Sequence, residues 1–214
     1  MGSKFILSIE TSSNICGMAI TDGQEIIAYE EKQNFRKHIE VLPDIFKKLL
    51  KESQISLKNV SAIAVSNGPG SFTGLRIGLG FAKGLSYSHN LPIIPVPTFL
   101  SLAYSLKSLQ PTSGIIHSHG EKVFYQEFSW KKNIPNMKLG KSIYNINDLN
   151  NKKIDFQSNC QRLFKPDYQI TEAKLSSVNI GLLANTHHEE WIVNKPYKLV
   201  PDYIANFNTN LCDK

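Results

Sequence analysis

The sequence predicts an α/β fold, and three observations lead to it. Three short apolar or alternating runs, at 5–9, 15–21 and 24–31, are separated by the turn segments TSSN and DG, a pattern typical of a strand meander. An amphipathic helix over 38–53 and a buried strand over 60–67 follow. A second helix, up to about His89, precedes a short strand over 91–97. Strands that alternate with helices favour an α/β architecture.

Local signals justify these elements in chain order. Asp22-Gly23 is a strong hairpin turn between the second and third strands. In the first helix, Pro43 suits the first turn. Its apolar residues recur at i, i+3, i+4, i+7 and i+8, which places them on one face: Leu42, Ile45, Phe46, Leu49 and Leu50. Thr73 is the expected N-cap of the second helix, and Thr98 that of a third helix over 99–107.

The second half of the chain carries weaker patterns. Segment 113–130 predicts two strands around a turn at His119-Gly120, and 176–190 predicts a modest helix. The SLKSLQPTSG segment interrupts the pattern near Ser105–Ser113. We therefore expect an N-terminal lobe over 1–105 and a smaller, divergent C-terminal lobe over 106–214.

Composition limits the class of protein. The 214 residues include 24 Lys and Arg against 18 Asp and Glu, a net charge of +6 that is spread along the chain without a dense basic run. This excess is compatible with an assembly that faces nucleic acid. The three cysteines lie far apart, which predicts a reducing, cytoplasmic location. No apolar run approaches the roughly 20 residues of a membrane span, so no membrane association is expected.

Six glycines crowd the segment VSNGPGSFTGLRIGLGFAKGLSYSH, although each glycine inside a helix costs roughly 1 kcal/mol. The Gly68-Pro69-Gly70 bend could bind a phosphate at the helix start, or it could be a tight connection only. Within the helix, Gly74 and Gly78 are one turn apart, and so are Gly80 and Gly84. Small residues on a helix face let a second helix approach closely, so two faces are prepared for packing.

Three motifs resemble a known family. The segment NGPGSFTGLRIGLGFAKGL resembles the signature of the TsaB (YeaZ) family. Two further motifs resemble that family, ILSIETSSNICGMAI and the helix HIEVLPDIFKKLL, and all three occur in the family's order and spacing. The resemblance covers residues 4–105 and thins out afterwards. His117, Ser118 and His119 stand where that family tends to have Asp-Ala-Arg, and Ala205 stands where an arginine is usual.

The resemblance implies a two-lobed fold of the actin, Hsp70 and sugar-kinase type, with mixed sheets flanked by helices. It also implies a non-catalytic scaffold subunit needed for threonylcarbamoyladenosine modification of tRNA at adenosine 37. The implied partners are a TsaD-like catalytic subunit, a TsaE-like ATPase and, for the chain alone, a second copy. tRNA would be met through the complex, and ATP and Mg²⁺ would be carried by the partner subunits rather than bound firmly here.

The implied partner surface combines the first two helices, with Gly74 and Gly78 placed at the contact between chains. Its expected residues are His38, Leu42, Ile45, Phe46, Leu49, Phe72, Gly74, Arg76, Gly78 and Ala82.

Two functions from other classes stay open. In the implied fold, the first turn, here Glu10, Thr11 and Ser12, would hold phosphate and metal in an ATP-binding kinase or ATPase. A tRNA-binding module is the other. No nucleophile elbow or acid–base pair is evident, and His117, His119, His187 and His188 lack a third ligand of suitable spacing, so neither a catalytic centre nor a metal site is predicted.

Overall fold

The computed structural model describes residues 5–33, 37–138, 140, 142–164 and 170–203. Two mixed β-sheets with helices on their faces form the fold, as the sequence and the resemblance predicted. Cys212 and Ala205 lie outside the described residues. Among those described, no helix combines the length and apolar character that a bilayer crossing requires.

The first sheet has the order β3-β2-β1-β4-β5. Its strands are β1 (Phe5–Glu10), β2 (Ile15–Asp22), β3 (Glu25–Gln33), β4 (Val60–Gly68) and β5 (Ile93–Pro97). The first three form the antiparallel meander, whereas β4 and β5 run parallel to β1 after helical crossovers. Helices α1 (His38–Ser53) and α2 (Phe72–His89) cover one face through a core that includes Leu7, Ile9 and Ile63.

The second sheet has the order β11-β10-β6-β7-β8, with β9 also paired to β7. These strands are β6 (Ser113–His119), β7 (Lys122–Lys131), β8 (Ile134–Met137), β9 (Ser142–Asn145), β10 (Phe156–Ser158) and β11 (Thr171–Glu172). Helices α3 (Thr98–Ser105) and α4 (Ser177–Thr186) share one core with both sheets, and a short α5 (His188–Trp191) follows. The molecule is therefore layered as helices, sheet, helices, sheet.

Helix α4 comes from the second half of the sequence but packs on the first sheet. The Ser8 hydroxyl donates to the Ser177 carbonyl at 2.7 Å, and Asn185 Nδ2 donates to Thr21 Oγ1 at 2.8 Å. Glu31 accepts from the Ser177 backbone N–H and stabilises the start of α4. The lobe boundary at 105/106 stays a prediction, because both halves contribute to the layer between the sheets.

Two predicted helix caps were wrong. The N-cap of α2 is Ser71, whose Oγ accepts from the Gly74 N–H at 3.2 Å, and Thr73 lies within the first turn. Thr98 is the first residue of α3 rather than its cap. Its hydroxyl instead accepts from the Gly68 N–H at 3.1 Å. Thr98 thus binds a turn that lies 30 residues away in the sequence, a contact that the local pattern does not show.

Candidate functional site

The glycine-rich turn lies where β4 ends, beside the first turn of the chain. Ser71 N–H donates to the Ser12 carbonyl at 2.7 Å, so the start of α2 is bound directly to the turn after β1. A Cβ added to Gly70 would lie 2.6 Å from the Ser12 carbonyl oxygen. Gly68 has φ +114°, a conformation that favours glycine. A Cβ added to Gly68 would also lie 2.6 Å from the Asp202 carbonyl oxygen, so the backbone of three segments meets here and leaves no room for side chains at these glycines.

The inward face of α2 continues this contact. A Cβ on Gly74 would collide with the Thr11 carbonyl oxygen, and one on Gly78 would collide with Thr11 Oγ1. The Thr11 hydroxyl donates to the Gly74 carbonyl at 2.8 Å. The prediction that these two glycines make room for another protein was therefore wrong, because the space is occupied by the chain's own Thr11.

The predicted phosphate-binding residues are engaged internally. Thr11 Oγ1 bonds to Gly74, and Ser12 Oγ donates to Glu10 Oε1 at 2.7 Å. Glu10 is fully buried, and its Oε2 has no hydrogen-bond partner among the described residues. Burial raises the pKa of Glu10 to about 7, while the hydrogen bonds from Ser12 act to lower it. This geometry does not favour a nucleotide site at these hydroxyls, and such a site stays a prediction.

The outward face of α2, unlike the inward face, borders open space. Gly80 and Gly84 are exposed, and a Cβ on either would have no neighbour within 4 Å. Beside them, Phe81 packs edge-on against Phe46 of α1, with ring centroids 5.6 Å apart. Ile39, at the start of α1, is 70% exposed. The two helices thus present a partly apolar surface that contains two glycines with no internal packing role.

The predicted partner surface is accordingly divided. Seven of its residues lie buried within this chain, so their side chains are not available to a partner: His38, Leu42, Ile45, Leu49, Gly74, Gly78 and Ala82. His38, for example, contacts the Ile15 carbonyl at 3.2 Å. Phe46 is half-buried, and Phe72 and Arg76 are exposed. The interface as such stays a prediction, but Gly80, Gly84 and Ile39 replace the buried residues as its candidates.

Arg76 is held at the start of α2 by aromatic side chains. Its guanidinium lies 3.7 Å from the centroid of the Phe72 ring, and its Nε donates to the Tyr203 hydroxyl at 3.1 Å. The Phe72 and Tyr203 rings lie 5.0 Å apart. The end of the described chain therefore packs onto the N-terminus of α2.

A cleft of about 1720 Å³ separates this region from the second sheet. One wall is formed by the turns at Ser12–Asn14 and Pro69–Leu75, and the other carries mainly cationic or neutral polar groups: His117, His119, Lys122, Arg162 and Lys174, with Glu172. Arg162 Nη2 lies 3.2 Å from His117 Nε2. No three His, Cys, Asp or Glu side chains of the described residues are placed to share a metal ion.

The two cysteines of the described residues are buried thiols. Cys16 is buried in β2, as the apolar pattern around it predicted, and burial raises the pKa of its thiol to about 11. Burial likewise raises the pKa of Cys160 to about 12. The Ser71 hydroxyl serves as the cap of α2.

Comparisons with known proteins agree with this architecture. The family model described as "TsaD: tRNA N6-adenosine threonylcarbamoyltransferase" matches residues 29–192, more than half of the chain. The structure titled "YeaZ from Pseudomonas aeruginosa" superposes with a TM-score of 0.78 at 18% identity, covering 94% of this chain and 100% of that one. At this identity the likeness shows that the two chains share a fold.

Curated relatives match mainly through the first half. The chain is 40% identical over 101 residues to the tRNA threonylcarbamoyladenosine biosynthesis protein TsaB of Buchnera aphidicola subsp. Schizaphis graminum, covering 47% of this chain and 48% of the relative. It is 37% identical over 98 residues to the Escherichia coli protein of that name, covering 46% and 42%. The matched region thus spans about half the length of these relatives. The chain belongs to the family that the matching model describes, and within it to the TsaB (YeaZ) proteins of tRNA threonylcarbamoyladenosine biosynthesis.

Proposed function

We propose that the chain is a non-catalytic subunit required for threonylcarbamoyladenosine formation at adenosine 37 of tRNA, and that it pairs with a TsaD-like catalytic subunit. The relatives' names support the pathway. Internal engagement of Glu10, Thr11 and Ser12 supports the non-catalytic role.

The observation that carries the pairing is the outward face of α2. Gly80 and Gly84 each cost roughly 1 kcal/mol of helix stability, and neither has an internal contact that would require glycine. Half-buried Ile77 and Phe81 lie beside them on the same helix. A partner helix placed on this face would contact the backbone of α2 and cover the adjacent apolar groups. The same surface would hold a second copy of the chain when the partner is absent, and a TsaE-like ATPase would join the resulting complex.

Size-exclusion chromatography with light scattering tests the pairing directly. The chain mixed with the TsaD-like protein of the same organism should elute as one complex in this assay. Gly80→Leu adds a side chain where the monomer has open space, so we expect it to fold normally and to weaken the complex at least tenfold. Glu189→Leu, which adds the same side chain at an exposed position of α5, should leave the complex unchanged.

Two results would contradict the proposal. One is a wild-type chain that forms no complex with the partner at micromolar concentrations. The other is a Gly80→Leu variant that binds the partner as tightly as Glu189→Leu does, because the partner then contacts another surface. Circular dichroism of each variant checks that the helices are intact.

A further inference from the structure

The edge of α2 that faces away from α1 forms a basic, aromatic surface with a second segment far along the chain. Lys83 Nζ donates to the Tyr197 carbonyl at 3.1 Å, which fixes the 3-10 turn at Pro196–Lys198 beside the helix. Tyr87 is 94% exposed and Tyr197 is 69% exposed. We call this the Lys–Tyr surface, and its residues are Arg76, Lys83, Tyr87, Lys195, Tyr197 and Lys198.

The helix geometry places its cations and one tyrosine in a line. Arg76, Lys83 and Tyr87 are spaced i, i+7 and i+11, so they lie on one side of α2 over about 16 Å. Exposed Lys195 and Lys198 add two further positive charges next to that line. The surface thus joins two stretches of the sequence that are more than a hundred residues apart.

Carboxylates are missing from both segments. Neither α2 nor residues 192–200 contain an aspartate or a glutamate. Two acidic residues flank the second segment. Glu190 precedes it and contacts His187, and Asp202 follows it and lines the cleft. The exposed side of α1 differs, because Glu40, Asp44 and Glu52 are mixed there with its lysines. The absence of acidic residues from α2 and 192–200 is therefore not a general feature of exposed helices in this chain.

We infer that the Lys–Tyr surface binds the tRNA substrate of the proposed function, through its phosphates and through bases stacked on the tyrosines. Lysines without neighbouring carboxylates attract a polyanion, and exposed aromatic rings beside them provide faces on which unpaired bases stack. This inference rests on the proposed function for the identity of the RNA. The surface borders the Gly80–Gly84 face, because Tyr87 lies three residues from Gly84 on the same helix.

Fluorescence anisotropy with an unmodified tRNA transcript tests the inference, on the full chain alone and on its complex with the TsaD-like protein. The double variant Lys195→Gln, Lys198→Gln should lower the slope of log affinity against log salt by about 1.4 to 1.8. The matched control Lys47→Gln, Lys51→Gln removes the same charge from the exposed side of α1 and should leave the affinity and the slope near wild type. Tyr87→Ala should lower the affinity about tenfold at an unchanged slope, and Tyr87→Phe should keep it.

Equal losses in the two lysine pairs would overturn the inference, because the effect would then be one of net charge. Unchanged tRNA affinity in Lys195→Gln, Lys198→Gln would also overturn it, and if that pair weakened the complex instead, the surface would be a protein contact. Light scattering on the same samples reports pairing with the catalytic subunit. If the complex forms but the Lys–Tyr surface does not bind tRNA, the inference fails and the proposed function stands. If the wild-type chain forms no complex, the proposed function fails, and anisotropy on the chain alone still tests tRNA binding by this surface.

Discussion

The two faces of α2 carry the same residue type for opposite physical reasons. On the inward face, Gly74 and Gly78 leave space for the Thr11 backbone and hydroxyl. On the outward face, Gly80 and Gly84 border open space. A glycine in a helix is therefore informative only together with what a Cβ in its place would touch. The inward pair is explained by the fold of the monomer, and the outward pair needs an explanation outside it.

The largest expected effect comes from Gly74→Ala. Its Cβ would meet the Thr11 carbonyl oxygen. This is a backbone atom directly after β1, so it cannot move aside as the end of a flexible side chain would. We expect the free energy of unfolding to fall by about 3 kcal/mol or more, measured by urea denaturation. Gly80→Ala is the matched control on the same helix, and an equal loss in both variants would remove the distinction between the faces.

Glu10→Gln tests the raised pKa of the buried Glu10 through the pH dependence of the protein's stability. The folded-state pKa of Glu10 is raised by burial from 4.5 to about 7, so the wild-type protein loses stability as the pH rises through this window and stays lower above it. Gln stays neutral and avoids that loss. When the pH is raised from 4.5 to 8, the free energy of unfolding of the variant should therefore rise by up to about 3 kcal/mol relative to that of the wild type.

Thermal unfolding at the two pH values measures this difference for Glu10→Gln. Glu25→Gln, at an exposed end of β3, should change stability little at either pH. A Glu10→Gln gain that is the same at both pH values would show that folding does not raise the pKa of Glu10.

Thr11→Val keeps the shape of the side chain but removes its hydrogen bond to the Gly74 carbonyl. We expect a loss of about 1 kcal/mol in urea denaturation. Calorimetry with Mg-ATP should give the same result for this variant and the wild type, since the hydroxyl is already engaged within the chain. Micromolar Mg-ATP binding that disappears in Thr11→Val, but not in the exposed Thr73→Val control, would support the kinase or ATPase alternative instead.

Gly80→Ala has the smallest expected effect and the opposite sign. An exposed alanine with no clash should raise the free energy of unfolding by about 0.5 to 1 kcal/mol. Differential scanning calorimetry against Gly84→Ala provides an internal replicate on the same face. A loss of stability in both variants would show that the outward glycines also have a structural role within the monomer.

Much of the first sheet could be predicted because its signals are local. The Asp22-Gly23 turn and the apolar period of α1 each act over a few residues, and the strands and helices lie where these signals placed them. The second sheet has shorter strands, such as Phe156–Ser158 and Thr171–Glu172, which pair with distant partners. Their positions depend on long-range pairing that a local pattern does not encode.

The sequence by itself determined the element order of the first sheet, the buried stripe of α1, the buried Cys16 and the family resemblance, because these depend on periodicity and on contiguous motifs. Only the tertiary structure decided which glycines of α2 face Thr11 and which face solvent, since both pairs have the same spacing and differ only in what lies opposite. It also decided that Lys83 meets the Tyr197 segment. A charge excess that is diffuse along the chain becomes a local surface only when folding brings the two segments together.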